Sequence, residues 1–492
     1  MEQPSQSSSE TSPEESQAPT VGLWTMFRLG LFQMGLGIMS LLTLGVLNRL
    51  MIDELKVPAL IAAGAIAMHQ FVSPARLWFG QMSDAKPIFG RHRTGYVWVG
   101  AALFTTVSFL ALEAIWQLGK SAQANGWIAS TYLWAILLAV VFAIYGLALS
   151  ASSTPFAALL VDVSDEENRS QLVSVVWSML MVGIVIGALI SSKLLHRPEV
   201  CGADILTFNP AANAEVANIP QLQSSITPLF ILIPAVVFGL CIVATVGVED
   251  KFSRFSDRAL SNNREDSIGP GAAWQVLTAS RQTGLFFSFL LLMTISLFMQ
   301  DAVLEPFGGE VFGLCISETT QLNAFFGTGT LLGIGSTGFT LVPRIGKQTT
   351  TKLGCILSAI CFGFLIVSGF SGNPNALRGA IFLFGLSSGV LTAGAISLML
   401  DLTAAQTAGT FIGAWGLAQA MARGLSTVFG GAVLDAGRAL FGTPVLAYSS
   451  VFAVQAVGLT LAVLLLKRVN IQEFQDNTKQ AIAAVLSSEI ED

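Results

Sequence analysis

Three carboxylates, Asp301, Glu305 and Glu310, follow directly on the apolar run Leu285 to Met299. With Pro306 they occupy the stretch Gln300 to Gly313, where a membrane helix would be ending. Charge at the edge of hydrocarbon is costly, so it has a partner or a purpose. A carboxylate there accepts an ion pair or hydrogen bonds. Deeper ionisable groups are few: His69, Arg76 and Arg423. Inside a membrane bundle such groups pair between helices, snorkel to the interface, or contact a ligand. Gln33, Gln70, Gln419 and Gln455 add hydrogen-bonding capacity, while Phe and Gly dominate the rest. A sugar or amino-acid carrier needs several polar groups facing its cavity. The scarcity here suits a large apolar ligand, or none.

The elements that position these residues are membrane helices. Charged residues are 11% of 492 and mean hydropathy is +0.67, whereas a soluble domain carries about 25% charge. About 20 apolar residues cross a bilayer. Twelve segments qualify: 26–50, 57–80, 94–117, 130–153, 170–193, 226–247, 284–306, 319–341, 350–370, 376–400, 407–434 and 446–468. The chain therefore reads as an all-α integral membrane protein. A disordered N-tail (1–20) precedes a six-helix bundle (21–247). A central loop (248–283), a second six-helix bundle (284–468) and a C-tail (469–492) follow. Each tail carries −4, so a net charge of −6 leaves the body near +2, with no basic stripe for nucleic acid. With the N-terminus inside, sixteen Lys and Arg fall on the cytoplasmic side and seven on the other. That asymmetry places both termini in the cytoplasm. Cys201 and Cys315 fall in loops on the opposite side, which permits a disulfide without requiring one. No nucleotide-binding loop, zinc-protease motif or nucleophile elbow occurs, so no enzyme is expected.

The two halves repeat. Gly80, Asp84, Gly90, Arg91 and Arg93 follow the second segment, and Gly338, Arg344, Gly346 and Lys347 follow the eighth. Asp162 closes the fourth segment as Asp401 closes the tenth. The first loop reads as a mechanical brace. Asp84 would accept from helix-terminal N–H groups, where the dipole favours a carboxylate. Arg91 or Arg93 would pair with Asp162. The same positive patch also sets topology. Gly183/Gly187, Gly385/Gly389 and Gly409/Gly413 have the small-xxx-small spacing of close helix contacts.

Parallel six-helix repeats about a long central loop resemble the major facilitator superfamily. At finer grain the chain resembles the bacteriochlorophyll delivery (PucC/LhaA-like) family within it. Three stretches carry the resemblance: Leu47 to Pro58; Pro74 to Arg93; and Gln300 to Gly313, with Thr319, Thr320 and Leu322 after it. The resemblance implies handling of chlorophyll or bacteriochlorophyll as a bound ligand. It also implies service to light-harvesting or photosystem subunits, with pigment-biosynthesis proteins as further partners beside membrane lipids. The membrane would be thylakoid or cytoplasmic. His69, Arg76, Gln300 and Arg423 become the pigment or substrate candidates. His69 would be an axial ligand to a ring-bound magnesium, or else a histidine hydrogen-bonded between helices. The alternatives are an ion-coupled carrier and a ligand-free assembly scaffold. Val342 and Pro343 replace the acid expected in the second loop, which implies different gating there.

A shift of 252 residues lays Asn48 on Gln300, Arg49 on Asp301 and Asp53 on Glu305. In this fold helices 1 and 7 approach each other at the non-cytoplasmic side. Arg49, Asp53, Asp301 and Glu305 are therefore expected to form an interdomain gate, with Arg49 paired to Asp301 or Glu305.

Overall fold

A computed structural model describes residues 21–164, 166–195, 219–253, 281–402 and 408–470. Among them no strand forms beyond an isolated bridge between Ile88 and Arg91. Lipid offers no partner to a backbone N–H or C=O, so the chain closes its hydrogen bonds within helices. In order these are α1 (Leu23–Glu54), α2 (Ala59–Phe71), α3 (Ala75–Ala85), α4 (Thr94–Asn125), α5 (Ala129–Val163), α6 (Glu166–Leu195) and α7 (Ile219–Thr245). The second half holds α8 (Arg281–Phe298), α9 (Leu304–Phe312), α10 (Ile316–Ser336), α11 (Lys347–Ser371), α12 (Pro374–Leu402), α13 (Ala408–Leu440) and α14 (Pro444–Lys467). Short helices Val248–Phe252 and Val342–Ile345 follow α7 and α10. The tails 1–20 and 471–492, loop residues 254–280 and Cys201 lie outside the described residues.

Nine of the described helices are long and apolar enough to cross a membrane. The other three expected segments, 57–80, 319–341 and 407–434, are helical as well, as α2 with α3, α10 and α13. They belong to the seam between halves, where α13 packs on α2 and α10 on α6. Helices at a seam show less face to lipid and tolerate more polar residues. Elsewhere the pattern is that of a protein immersed in lipid. Leu133, Ile136, Val140 and Ile144 line an exposed face of α5, and Ile231, Leu232 and Val236 one of α7. Ser108, Thr294 and Ser358 are buried instead. This is an integral membrane protein.

Three local departures from straight helices shape the centre. The expected span 57–80 breaks between α2 and α3, because Pro74 has no N–H to continue the ladder and starts a new helix. The expected span 284–306 breaks at a 3-10 turn, Met299–Ala302. There the chain resumes as α9, with Pro306 in its first turns and Gly313 (φ 66°) ending it. Finally, α1 widens into π-helical turns at Leu41–Val46 and Leu50–Glu54. Small residues do the close packing. A Cβ on Gly183 would lie 2.2 Å from the Met34 carbonyl, and one on Gly385 2.3 Å from that of Phe326. Gly409 and Gly413 fall outside the residues whose surroundings are described.

Candidate functional site

The end of the bundle where α1 finishes is sealed across the two halves. The π turns of α1 flank Asn48 and Arg49, and such turns re-aim the side chains beside them. Asn48 donates to the Ala302 carbonyl at 2.7 Å. Arg49 is 3% exposed. It donates to Thr319 Oγ1 at 2.6 Å and to the Leu314 carbonyl at 2.9 Å, both in the other half. Its charge is met within its own half by Asp53 at 3.0 Å and Glu54 at 3.3 Å. A Cβ on Gly309 would fall 1.8 Å from Asp53 Oδ2, so the α9 backbone lies directly against this pair. At the rim, Glu310 accepts from Arg438 at 2.7 Å and faces Lys56 at 3.9 Å.

Asp435 of α13 completes the seal. Its two carboxylate oxygens accept the backbone N–H groups of Ala59 (3.1 Å) and Leu60 (2.8 Å). A residue of one half thus caps a helix of the other, where the helix dipole favours negative charge. Asp435→Ala is expected to cost about 1–2 kcal/mol. Asp435→Asn keeps one acceptor and loses less. Thermal unfolding of the detergent-solubilised protein measures both.

The expected pairing of Arg49 with Asp301 or Glu305 is not the one formed. Arg49 bonds further along the chain, at Leu314 and Thr319. Glu305 accepts a hydrogen bond from the Asn323 amide and lies over Gly45, where a Cβ would meet it at 2.2 Å. The 3-10 turn swings Asp301 off the helix edge and into the interior.

There Asp301 lines a cavity of about 40 Å³ with Asn48, His69, Gln70, Arg423 and Thr427. Gln300 donates to Asp301 at 2.8 Å and accepts from Gln455 at 3.3 Å. His69 donates from Nδ1 to the Ile66 carbonyl at 2.5 Å, and its Nε2 accepts from the Gln70 amide at 2.8 Å. The Arg423 guanidinium stacks on the Phe298 ring, 4.0 Å from its centroid. Close packing of α13 on α2 puts it there, since a Cβ on Gly424 would touch Phe71 and Gln70 at 3.1–3.3 Å. Arg76, beyond the break at Pro74, is near enough that its charge and that of Arg423 repel each other. Of the candidate binding residues, His69 and Arg423 line the cavity, Gln300 bonds its Asp301, and Arg76 stands outside the lining, within reach of the Arg423 charge.

The opposite end carries the brace. Arg93 pairs with Asp162 at 2.8 Å and Asp84 at 2.6 Å, and donates to Ser83 at 2.6 Å. Arg91 bonds Asp250 instead, at 2.7 Å, and lies over Trp98. Asp84 stands in the last turn of α3, so it meets Arg93 rather than helix-terminal N–H groups. Glu249 takes that role, accepting from the N–H groups of His92, Arg93 and Thr94 at 2.6–3.1 Å at the start of α4. Gly90 (φ 74°) makes the tight turn between the two helices, and Gly80 packs on Thr154.

The family model described as PUCC protein matches residues 46–474, a span containing the seal, the cavity and the brace. The chain belongs to the PUCC family. It is 29% identical over 463 residues to Protein PucC of Rhodobacter capsulatus, covering 91% of this chain and 93% of that one. It is 27% identical over 443 residues to a protein of the same species named bacteriochlorophyll synthase 44.5 kDa chain, covering 89% and 93%. Among solved structures, the nucleoside transporter NupG matches with a TM-score of 0.61 at 12% identity, over 91% of this chain and 98% of that one. A bacterial homologue of the iron transporter ferroportin in an inward-facing state gives 0.61 at 14%, over 91% and 99%. The fold of this PUCC-family chain is thus that of the major facilitator transporters.

Sequence reasoning had no signal for Asn48 as a cross-half donor, nor for Glu249, Asp435 or Asn323. Their partners lie far away in the chain. The 252-residue repeat did mark the Asn48 position, by laying it on Gln300.

Proposed function

We propose that the protein handles a chlorophyll-type pigment during assembly of light-harvesting or photosystem complexes, in a thylakoid or cytoplasmic membrane with both termini in the cytoplasm. The carrying observation is the PUCC match over residues 46–474, supported by the name of a relative, bacteriochlorophyll synthase 44.5 kDa chain. The partners would be antenna or photosystem subunits and pigment-biosynthesis proteins, with the pigment as cargo and no chemistry done on it. The central cavity, at about 40 Å³, does not fit a tetrapyrrole ring; it has room for roughly three waters at ~10–15 Å³ each. The ring would therefore be held outside it, in the cleft between the halves or at the lipid face. His69 holds its proton on Nδ1, the tautomer a ring-bound magnesium would need, but Gln70 occupies Nε2. His69→Phe is expected to leave the pigment content of the protein unchanged when it is purified in mild detergent from a pigment-making host. Loss of more than half the visible absorbance would instead make His69 a ligand. A colourless wild-type protein that still supports antenna assembly would leave only a scaffold.

One observation favours a second reading. Asp301 lines the interior cavity rather than the helix edge, and is solvent-accessible there; a carboxylate facing a water-filled cavity within the bundle is what an ion-coupled carrier commonly uses. Gradient-dependent solute uptake into vesicles, abolished by Asp301→Asn, would select that reading.

A further inference from the structure

Arg76 and Arg423 come from opposite halves, on α3 and α13. Among the described residues neither guanidinium has a hydrogen-bonding or ion-pair partner. Both are solvent-accessible, although the Arg49 end is sealed. Two like-charged guanidiniums facing a water-filled space repel each other, and an anion placed between them relieves that repulsion. Nearby, the Asp301 carboxylate lines the same cavity as Arg423 without an ion pair or hydrogen bond to it, and both ring nitrogens of His69 are hydrogen-bonded, to Ile66 and Gln70. With Asp301 ionised, the two arginines still leave one excess positive charge.

We propose that Arg76 and Arg423 form a two-armed clamp for the anionic head group, carboxylate or phosphate, of an amphiphile whose apolar body stays outside the cavity. Guanidinium forks match both oxyanions bidentately, and such bonds are about twice as strong as neutral ones. Phe298 stiffens the Arg423 arm by stacking, while Phe71 and Ile66 give the neighbourhood an apolar lining. The head group would also screen the repulsion between the arms, drawing the two halves together at this point. A pigment acid, with its free propionate, and a phospholipid share this chemistry. The choice of a pigment acid as cargo rests on the proposed function; the clamp itself does not.

The test uses the full chain in lipid nanodiscs and reads binding by fluorescence titration. The probes are pheophorbide a (a pigment acid lacking the metal), its methyl ester, and phosphatidic acid. The clamp predicts that the acid binds at least tenfold more tightly than the ester. Arg76→Gln and Arg423→Gln would each remove about tenfold and leave the ester unchanged. Asp301→Asn would tighten the acid. Arg76→Lys and Arg423→Lys, which keep the charge, should retain part of the affinity and serve as controls for folding. Equal binding of acid and ester, unmoved by either Arg→Gln change, overturns the clamp and leaves pigment handling standing. Arg-dependent binding of phosphatidic acid alone keeps the clamp, as a lipid head-group site, and removes the pigment reading. Failure of all three probes to bind overturns both.

Discussion

Arg49→Ala is expected to destabilise the protein by about 3–5 kcal/mol, the usual cost of breaking a buried ion pair by removing one partner. Three consequences combine. Asp53 and Glu54 lose their shared cation. The Leu314 carbonyl and Thr319 hydroxyl lose a charged donor. The α9 backbone at Gly309 loses the surface it rests on. Arg49→Lys keeps a charge but, as a point charge on a flexible stem, cannot serve both halves at once, so an intermediate loss is expected. Thr319→Val removes a single acceptor and should cost only about 1 kcal/mol. Thermal unfolding in one detergent compares the three. Exchanging charges in Arg49→Asp with Asp301→Arg should restore nothing, because these residues do not touch.

Arg93→Ala is expected to have the next largest effect, again about 3–5 kcal/mol. Its two carboxylate partners are unequal. The Asp84 contact is shorter, 2.6 Å against 2.8 Å, but Asp84 is 50% exposed and Asp162 only 8%. Solvent screening limits a pair to an exposed partner to about 0.2–1 kcal/mol. Desolvation makes an orphaned Asp162 far costlier. A double-mutant cycle should therefore give a larger coupling for Arg93 with Asp162 than with Asp84, despite the distances. Equal couplings would mean that the brace depends on the loop's backbone turn rather than on the buried pair.

The helical columns were legible because apolar length is a direct consequence of bilayer thickness. The brace was legible in outline: one of the two expected arginines, Arg93, reaches Asp162 while Arg91 goes to Asp250, and both ends of the Asp162 contact are set by neighbouring helices. The gate was legible only as a place. Asn48 and Arg49 do reach across the halves, but the π turns around them and the 3-10 turn at Met299–Ala302 change which faces meet. Neither kind of turn has a side-chain signature, because each is a local adjustment to tertiary packing. The same 3-10 turn hid the interior position of Asp301, whose chain position alone read as a helix edge. Asp435 was invisible for a different reason: it caps a helix 375 residues earlier in the chain. That neither Arg76 nor Arg423 finds an ion-pair or hydrogen-bonding partner among the described residues could be seen only once α13 was packed against α2.

The two halves are held together at the Arg49 end, with access to the cavity from elsewhere. Leu60 and Leu440 are exposed, on opposite halves, at that end. Spin labels on cysteines at these two positions, in a background with the native cysteines replaced by alanine, report the gap between halves in nanodiscs. One narrow, short-distance population is expected in the otherwise unaltered protein, and an added longer one in Arg49→Ala. A broad or long distribution with Arg49 present, or one that Arg49→Ala leaves unchanged, would contradict it.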